Sequence, residues 1–216
     1  MLKPIHAKIT RRAVGELFSP RALEIIVASN LKQDVLSGQL GHDEYHFDNN
    51  AFDKSKAYIE EQRTLISSAL ERAEVKPAWQ AFGRLTHTAQ DFYAHTNYID
   101  LWLACQESGM MPAPAELDPL DVDLIDSPAL RSGKLYYPFE ALSFIPTLRK
   151  FVMPFLPRDS HAWMNLDSEE RGPLFEYAFQ AAVKRTRYEF DLVRRGFSPN
   201  GLALFQDSLA SYARDI

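Results

Sequence analysis

A single cysteine, Cys105, among 216 residues allows no internal disulfide and no thiolate zinc site, so a metal held by this chain needs histidine and carboxylate ligands. There is no basic stripe, and a net charge of -5 argues against a protein that neutralises long stretches of phosphate backbone. No run approaches the ~18 consecutive apolar residues of a membrane-spanning helix. Met1 to His6 lack the apolar core and small-residue cleavage site of a secretory leader, and Arg11-Arg12 leads into a helical pattern. These absences lead to the expectation of a cytoplasmic protein, with secretion by another route left open. Internal repeats, low-complexity tracts and alternating strand patterns with hairpin turns are also lacking. What is present, 46% hydrophobic and 25% charged residues, is the composition of one globular domain over residues 1–216.

The apolar period is helical. Ile9, Ala13, Val14 and Leu17 mark a helix from about Ala7 to Phe18. Ser19-Pro20 starts a second, running to about Leu36 and stopped by Gly38 and Gly41. Asp53 reads as the cap of a third, Pro77 opens a fourth that runs to about Cys105, and two more cover Pro173 to Arg195 and Ser198-Pro199 to about Arg214. The fold class is therefore all-α, a multi-helix domain. Residues 109–160 differ: they hold eight of the thirteen prolines, an acidic run (Asp118, Asp121, Asp123, Asp126) and six aromatics between Tyr136 and Phe155. They form an irregular insertion or lid.

The fourth helix carries His87, Asp91 and His95 at i, i+4 and i+8, which project from one face and converge on one or two ions. Trp79, Phe82, Ala89, Phe92 and Ile99 form a stripe nearly opposite. From Leu85 to Ile99 the only formal charge is Asp91, whereas a solvated face recruits Lys, Glu and Arg. The helix is thus expected to be buried on both sides, with a divalent cation supplying the counter-charge. His42-Asp43-Glu44-Tyr45-His46-Phe47-Asp48 is a second polar cluster; taken alone it reads as a loop with capping carboxylates. His6 and His161 are equally unremarkable when taken singly.

Together, His6-Ala-Lys-Ile-Thr10, Asp34, Tyr45-His46-Phe47-Asp48 and Leu85-Thr86-His87-Thr88-Ala89-Gln90-Asp91-Phe92-Tyr93-Ala94-His95-Thr96-Asn97 resemble in order and spacing the zinc-dependent phospholipase C superfamily. The nearest match is its Het-C-like branch, whose helix typically reads Leu-His-Thr-x-Gln-Asp-Phe-Tyr-Ala-His-Ser-Asn. The resemblance covers the first hundred or so residues and resumes near 159, where Met164-Asn165-Leu166-Asp167 is similar to a Leu-Asn-Lys-Asp segment. It implies a mostly helical fold around a zinc cluster and phosphoester hydrolysis as the activity. Carried over by position, it makes His6 a ligand near the amino terminus and places Asp34, His46, His87 and Asp91 around one ion. Asp91 bridges, and His95 with His161 holds another ion.

Three departures qualify the transfer. The phospholipases use their mature α-amino group as a ligand, but here Met1 lies five residues before His6 with no leader seen. Two zinc ions are therefore expected, with a third left open. Asn165 stands where the phospholipases have a glutamate ligand, so the second ion is weaker or borrows Asp167 or a water. The interval from Asp91 to His95 is also shorter than the phospholipase spacing.

The chemistry expected is that of a phospholipase C-like phosphoric diester hydrolase. Two ions roughly 3.5–4 Å apart generate a hydroxide for in-line attack on phosphorus, with Asp34 or Asp48 as the general base that orients it. A phospholipid or small phosphoester is favoured over nucleic acid because of the acidic run, and a single-strand nuclease-like hydrolase is a further alternative. Another is a Het-C-like protein whose structural or degenerate metal site acts through partners. For residues 136–155 the first expectation is a segment whose rings cover the helical core; an exposed apolar lid making a peripheral membrane contact comes second.

Overall fold

The computed structural model describes residues 1–39, 41–106, 111–143 and 145–208. The chain is all-α. It opens with α1 (Lys3–Val14) and α2 (Pro20–Leu31), then the one-turn helices α3 (Leu36–Gln39) and α4 (Asp43–His46), and the long pair α5 (Phe52–Glu71) and α6 (Val75–His95). Then come α7 (Tyr98–Ala104), α8 (Val122–Ile125), α9 (Phe139–Ser143), α10 (Pro146–Val152), α11 (His161–Met164), α12 (Leu174–Arg194) and α13 (Pro199–Gln206). Among the described residues β-pairing is limited to two isolated bridges, Thr96 with Ser132 and Lys134 with Ser160.

Local chemistry accounts for the helix starts. The Ser19 and Ser198 hydroxyls accept from the backbone of Ala22 and Gly201, each ahead of a proline in the first turn. Pro4 plays the same part in α1, which begins at Lys3 rather than near Ala7. The second helix is shorter than expected, giving way at Lys32–Asp34 to a 3-10 turn. The fourth expected helix is broken: Thr96 is extended, Asn97 N–H donates to the Arg131 carbonyl, and a separate α7 follows. The final helix ends at Gln206, where Asp207 adopts a left-handed conformation; residues 209–214 of that expectation lie outside the described residues.

Helix α6 is the axis of the molecule. Every residue from Leu85 to His95 is buried, as the missing surface charge predicted, because α2, α5 and α12 all pack against α6. The crossing with α2 is close at Gly83, where a Cβ would stand 2.3 Å from the Ile26 carbonyl oxygen. Phe18, Phe82, Phe190 and Phe205 make the main aromatic cluster, each ring contributing roughly 1.5–3 kcal/mol on burial. Glu189, fully buried on α12, is held by Arg63 of α5 and by Arg185.

The proline-rich segment has two characters. Its first half is a strap fastened to the core: Leu117 and Leu124 are buried, and the Tyr93, Tyr98 and Tyr177 hydroxyls donate to the carbonyls of Pro119, Asp118 and Pro112. Its second half overturns the expectation that residues 136–155 bury their rings. Phe139 and Phe151 are each 62% exposed, Phe155 is 82% exposed, and Tyr137 is exposed as well; Phe144 lies outside the described residues. Pro138, Pro146 and Pro154 divide this stretch into pieces too short to lay a continuous face on the core. The inward positions are taken instead by Glu140, Ser143 and Leu156.

Candidate metal centre

The His87, Asp91 and His95 face of α6 meets side chains from four other segments. His6 comes from α1, Asp34 from the turn that ends α2, His46 from the last residue of α4, and His161 from the first residue of α11. Between His46 and Asp48, Phe47 adopts a left-handed conformation at φ 57°. This turns the chain so that both neighbours face the site while the Phe47 ring packs on Phe92. A non-glycine residue there costs about 1–2 kcal/mol, which burial of the ring offsets.

Asp91 is the centre. Its Oδ2 lies 2.9 Å from His46 Nδ1 and 3.1 Å from His87 Nε2, and those two nitrogens are 3.2 Å apart. Its Oδ1 is 3.1 Å from His6 Nε2 and 3.8 Å from His95 Nε2. Asp34 stands 3.8 Å from both His6 Nε2 and His87 Nε2. Ligands about 2.0–2.1 Å from a tetrahedral zinc are roughly 3.3 Å from one another, so the spacing around Asp91 is that of a ligand shell. A second group adjoins it: Asp48 Oδ1 is 2.9 Å from His161 Nδ1 and 3.4 Å from His95 Nδ1. Asp167 Oδ1 is 3.1 Å from His95 Nε2. Asp91 thus sits between the two groups, where a bridging carboxylate belongs.

Outer partners fix which ring nitrogen faces inward. His6 Nδ1 donates to Gln90 Oε1 at 2.6 Å, and that amide is oriented by its own donation to Thr10 and Thr186. His46 Nε2 donates to the Gly38 carbonyl at 3.3 Å, and His95 Nδ1 to the His46 carbonyl at 2.8 Å. Carbonyl oxygens only accept, so in the neutral rings the opposite nitrogens, turned toward Asp91, are the ones that can ligate. Asp34 Oδ2 is buried with no hydrogen-bond partner among the described residues, and His6 Nε2 is buried with only the Asp91 and Asp34 carboxylates facing it. Such a donor set fits a divalent cation.

The electrostatics agree. Burial would raise the Asp91 pKa, but the Met1 amine and the facing histidines hold it well below the usual carboxylate range. Asp48 is likewise held low by His161 and His95 against its burial, and Asp167 by the Met1 amine and His95. Burial and the charge of His6 push His87 down to about 4, and burial with the Met1 amine lowers His6, so both favour the neutral, ligating form. Burial opposes a charge on His95 and His46 too. There the carboxylates prevail, Asp91 foremost, and both pKa values rise.

The Met1 amine, counterpart of the α-amino group that the phospholipases use as a ligand, is inside this cluster. It donates to Asp91 Oδ1 and lies 3.2 Å from Asp167 Oδ1 and 3.4 Å from His95 Nε2. Burial disfavours its charge, but Asp167, Asp91 and Asp34 outweigh that and raise its pKa to about 11. Leu2 N–H, bonded to the Asp167 carbonyl, pins the terminus in place. Asn165, in the position of a glutamate ligand, turns its amide to the His161 carbonyl instead. Asp167 is the acidic group from that segment that reaches the histidines. His42 stacks on Tyr45 and pairs with Glu44, apart from both clusters.

A cavity of about 420 Å³ opens onto the site, lined by Asp34, His46, Asp48, His95, His161 and Asp167, with Leu135 and Tyr137 at its side. None of the four acidic residues between Asp118 and Asp126 lines it. The positioning residues from 131 to 135 were not foreseen. Asn97 brackets the strap through Ala129 and Arg131, and Asn49 and Asn50 bind Gly133, Leu135 and Ser132. Gly133 lies so close to His161 that a Cβ would be 2.5 Å from its Cα.

Residues 5–120 match the family described as the VWA7 N-terminal domain. That span includes every expected ligand except His161. No curated protein and no solved structure matches the chain.

Proposed function

Since this chain belongs to the VWA7 N-terminal domain family and the matched span builds most of the buried His/Asp cluster, we propose that the cluster is a two-zinc centre that hydrolyses phosphoric diesters. The observation that carries the reading is the ring of inward nitrogens around Asp91 at 2.9–3.2 Å. The buried Asp34 Oδ2, which has no hydrogen-bond partner among the described residues, supports it, as does the likeness to the zinc-dependent phospholipase C superfamily. His6, Asp34, His46, His87 and Asp91 would hold one ion; the Nε2 atoms of His95 and His161 with Asp167 would hold the other, and Asp48 would orient those two rings from their Nδ1 side. When bound, the ion pair lowers the pKa of water and neutralises charge growing on the phosphoryl oxygens.

The protein's own part is positioning and proton management. Gln90 and the carbonyls of Gly38 and His46 lock the imidazoles. Asp34 and Asp48 line the cavity, where either carboxylate accepts the proton of an attacking water. Zinc content by elemental analysis and turnover of a chromogenic phosphodiester test the reading. Two equivalents of zinc and activity lost in Asp91→Asn are expected; a folded protein that takes up no zinc and shows no activity overturns it.

One observation favours a second reading, a structural cluster without turnover. Asn165, where the phospholipases have a glutamate ligand, turns its amide to the His161 carbonyl and brings no charge to the second group. Zinc uptake without hydrolysis, or no uptake with the fold intact, selects it.

A further inference from the structure

The exposed rings of the second half of the strap are not scattered. Tyr137, Phe139, Leu142, Ile145, Phe151 and Phe155 all belong to one stretch of short helices, α9 and α10 with their flanks, and all are exposed. The same stretch is basic within an acidic chain. Between residues 136 and 155 it carries Arg149 and Lys150, and its one acidic residue, Glu140, is fully buried; of the flanking cations, Lys134 pairs with Asp159 and Arg158 lies over the Trp163 ring. Lys150 Nζ lies 4.9 Å from the Phe151 ring centre. Apolar tips interleaved with cations on short helices make a surface suited to the boundary between headgroups and acyl chains. Face-to-face pairing of two copies would instead oppose like charges.

The face is also joined to the metal centre. Leu135 and Tyr137 line both the stretch and the cavity above His46, His95 and His161. Glu140, on α9, accepts from the Tyr136 N–H at 2.7 Å and from the Ala162 N–H at 2.5 Å, so the apolar stretch is tied to the first turn of α11, which begins at His161.

We propose that residues 136–143 and 145–155 dock on a lipid surface bearing anionic headgroups and place the cavity mouth against it. The docking does not rest on the hydrolase reading, because vesicle binding is measured without turnover. The experiment is co-sedimentation of the full chain with phosphatidylcholine vesicles and with vesicles containing anionic phosphatidylglycerol. Phe151→Ser/Phe155→Ser and Arg149→Glu/Lys150→Glu are run alongside, with circular dichroism to establish folding. The wild type is expected to bind anionic vesicles several-fold better than neutral ones. The ring variant should lose roughly tenfold or more in partitioning, and the charge-reversal variant should lose the anionic preference. The proposal is overturned by wild-type protein that stays in the supernatant with both vesicles, by binding that survives both double substitutions, or by a dimer in size exclusion that the ring variant dissolves. Vesicle binding without hydrolysis would retain the docking and remove the hydrolase.

Discussion

At the scale of single residues the site depends on Asp91, the one carboxylate that faces His6, His46, His87, His95 and the Met1 amine. Asp91→Asn leaves those groups buried with no shared anion. A loss of about 3–5 kcal/mol in urea unfolding of the metal-free protein is expected, together with loss of bound zinc. Gln90→Leu acts one step further out: with no acceptor for Nδ1–H, His6 loses its tautomer lock, and zinc affinity by chelator competition should fall about 10–100-fold. The pH dependence follows from the shifts. His87, lowered to about 4 by burial, is already neutral near pH 6 and adds little, and burial lowers His6 in the same direction. His46 and His95 are raised; their contribution to the metal-free fold is present below about pH 6.5 and lost as pH rises through their raised values. Zinc must displace those protons, so its stabilisation grows across the same interval. Melting temperatures with zinc and with chelator should diverge from pH 6 to 8, and a gap constant with pH would show that these two rings bind no metal. His87, Asp91 and His95 were legible because one helix period places them on one face. The Met1 amine was raised only by the resemblance, and Gly133 was not legible, because a glycine's close neighbour belongs to the tertiary structure.

Among the elements, the helix starts at Ser19-Pro20 and Ser198-Pro199 were readable, since the cap and the proline act within one turn. The break between α6 and α7 was not: Thr96 and Asn97 leave the helix to pair with residues 131 and 132, a contact more than thirty residues away. Two glycines report on such contacts. At Gly133 the obstructing atom is the backbone of His161. Gly133→Ala should therefore displace α11 and drop zinc from two equivalents to one by elemental analysis, with helicity retained. Two equivalents in that variant would show that α11 yields without losing its ligand. At Gly83 the obstruction is the α2 backbone, and Gly83→Ala should separate the α2/α6 crossing at a cost of about 1–3 kcal/mol.

For the whole molecule, α1, the α2–α4 region, α6 and α11 meet at the His/Asp cluster, so an ion bound there would tie together segments from both ends of the described chain. Binding that favours the folded state stabilises by mass action, about 2.7 kcal/mol at a ligand concentration 100 times Kd. In a domain of this size, zinc removal with a strong chelator should lower Tm by several degrees, reversibly on adding zinc back. No described helix is long and apolar enough to cross a membrane.

The sequence by itself determined the all-α class, the burial of α6 on both sides, and the convergence of His87, Asp91 and His95. Each follows from a local period or from the absence of charge along one helix. Only the tertiary structure decided that the Met1 amine lies against Asp91, that Asp167 rather than Asn165 reaches the histidines, and that the rings of residues 136–155 face outward. Those outcomes depend on which backbone donors and which cavity walls the fold brings within a few ångströms, and no spacing along the chain encodes that distance.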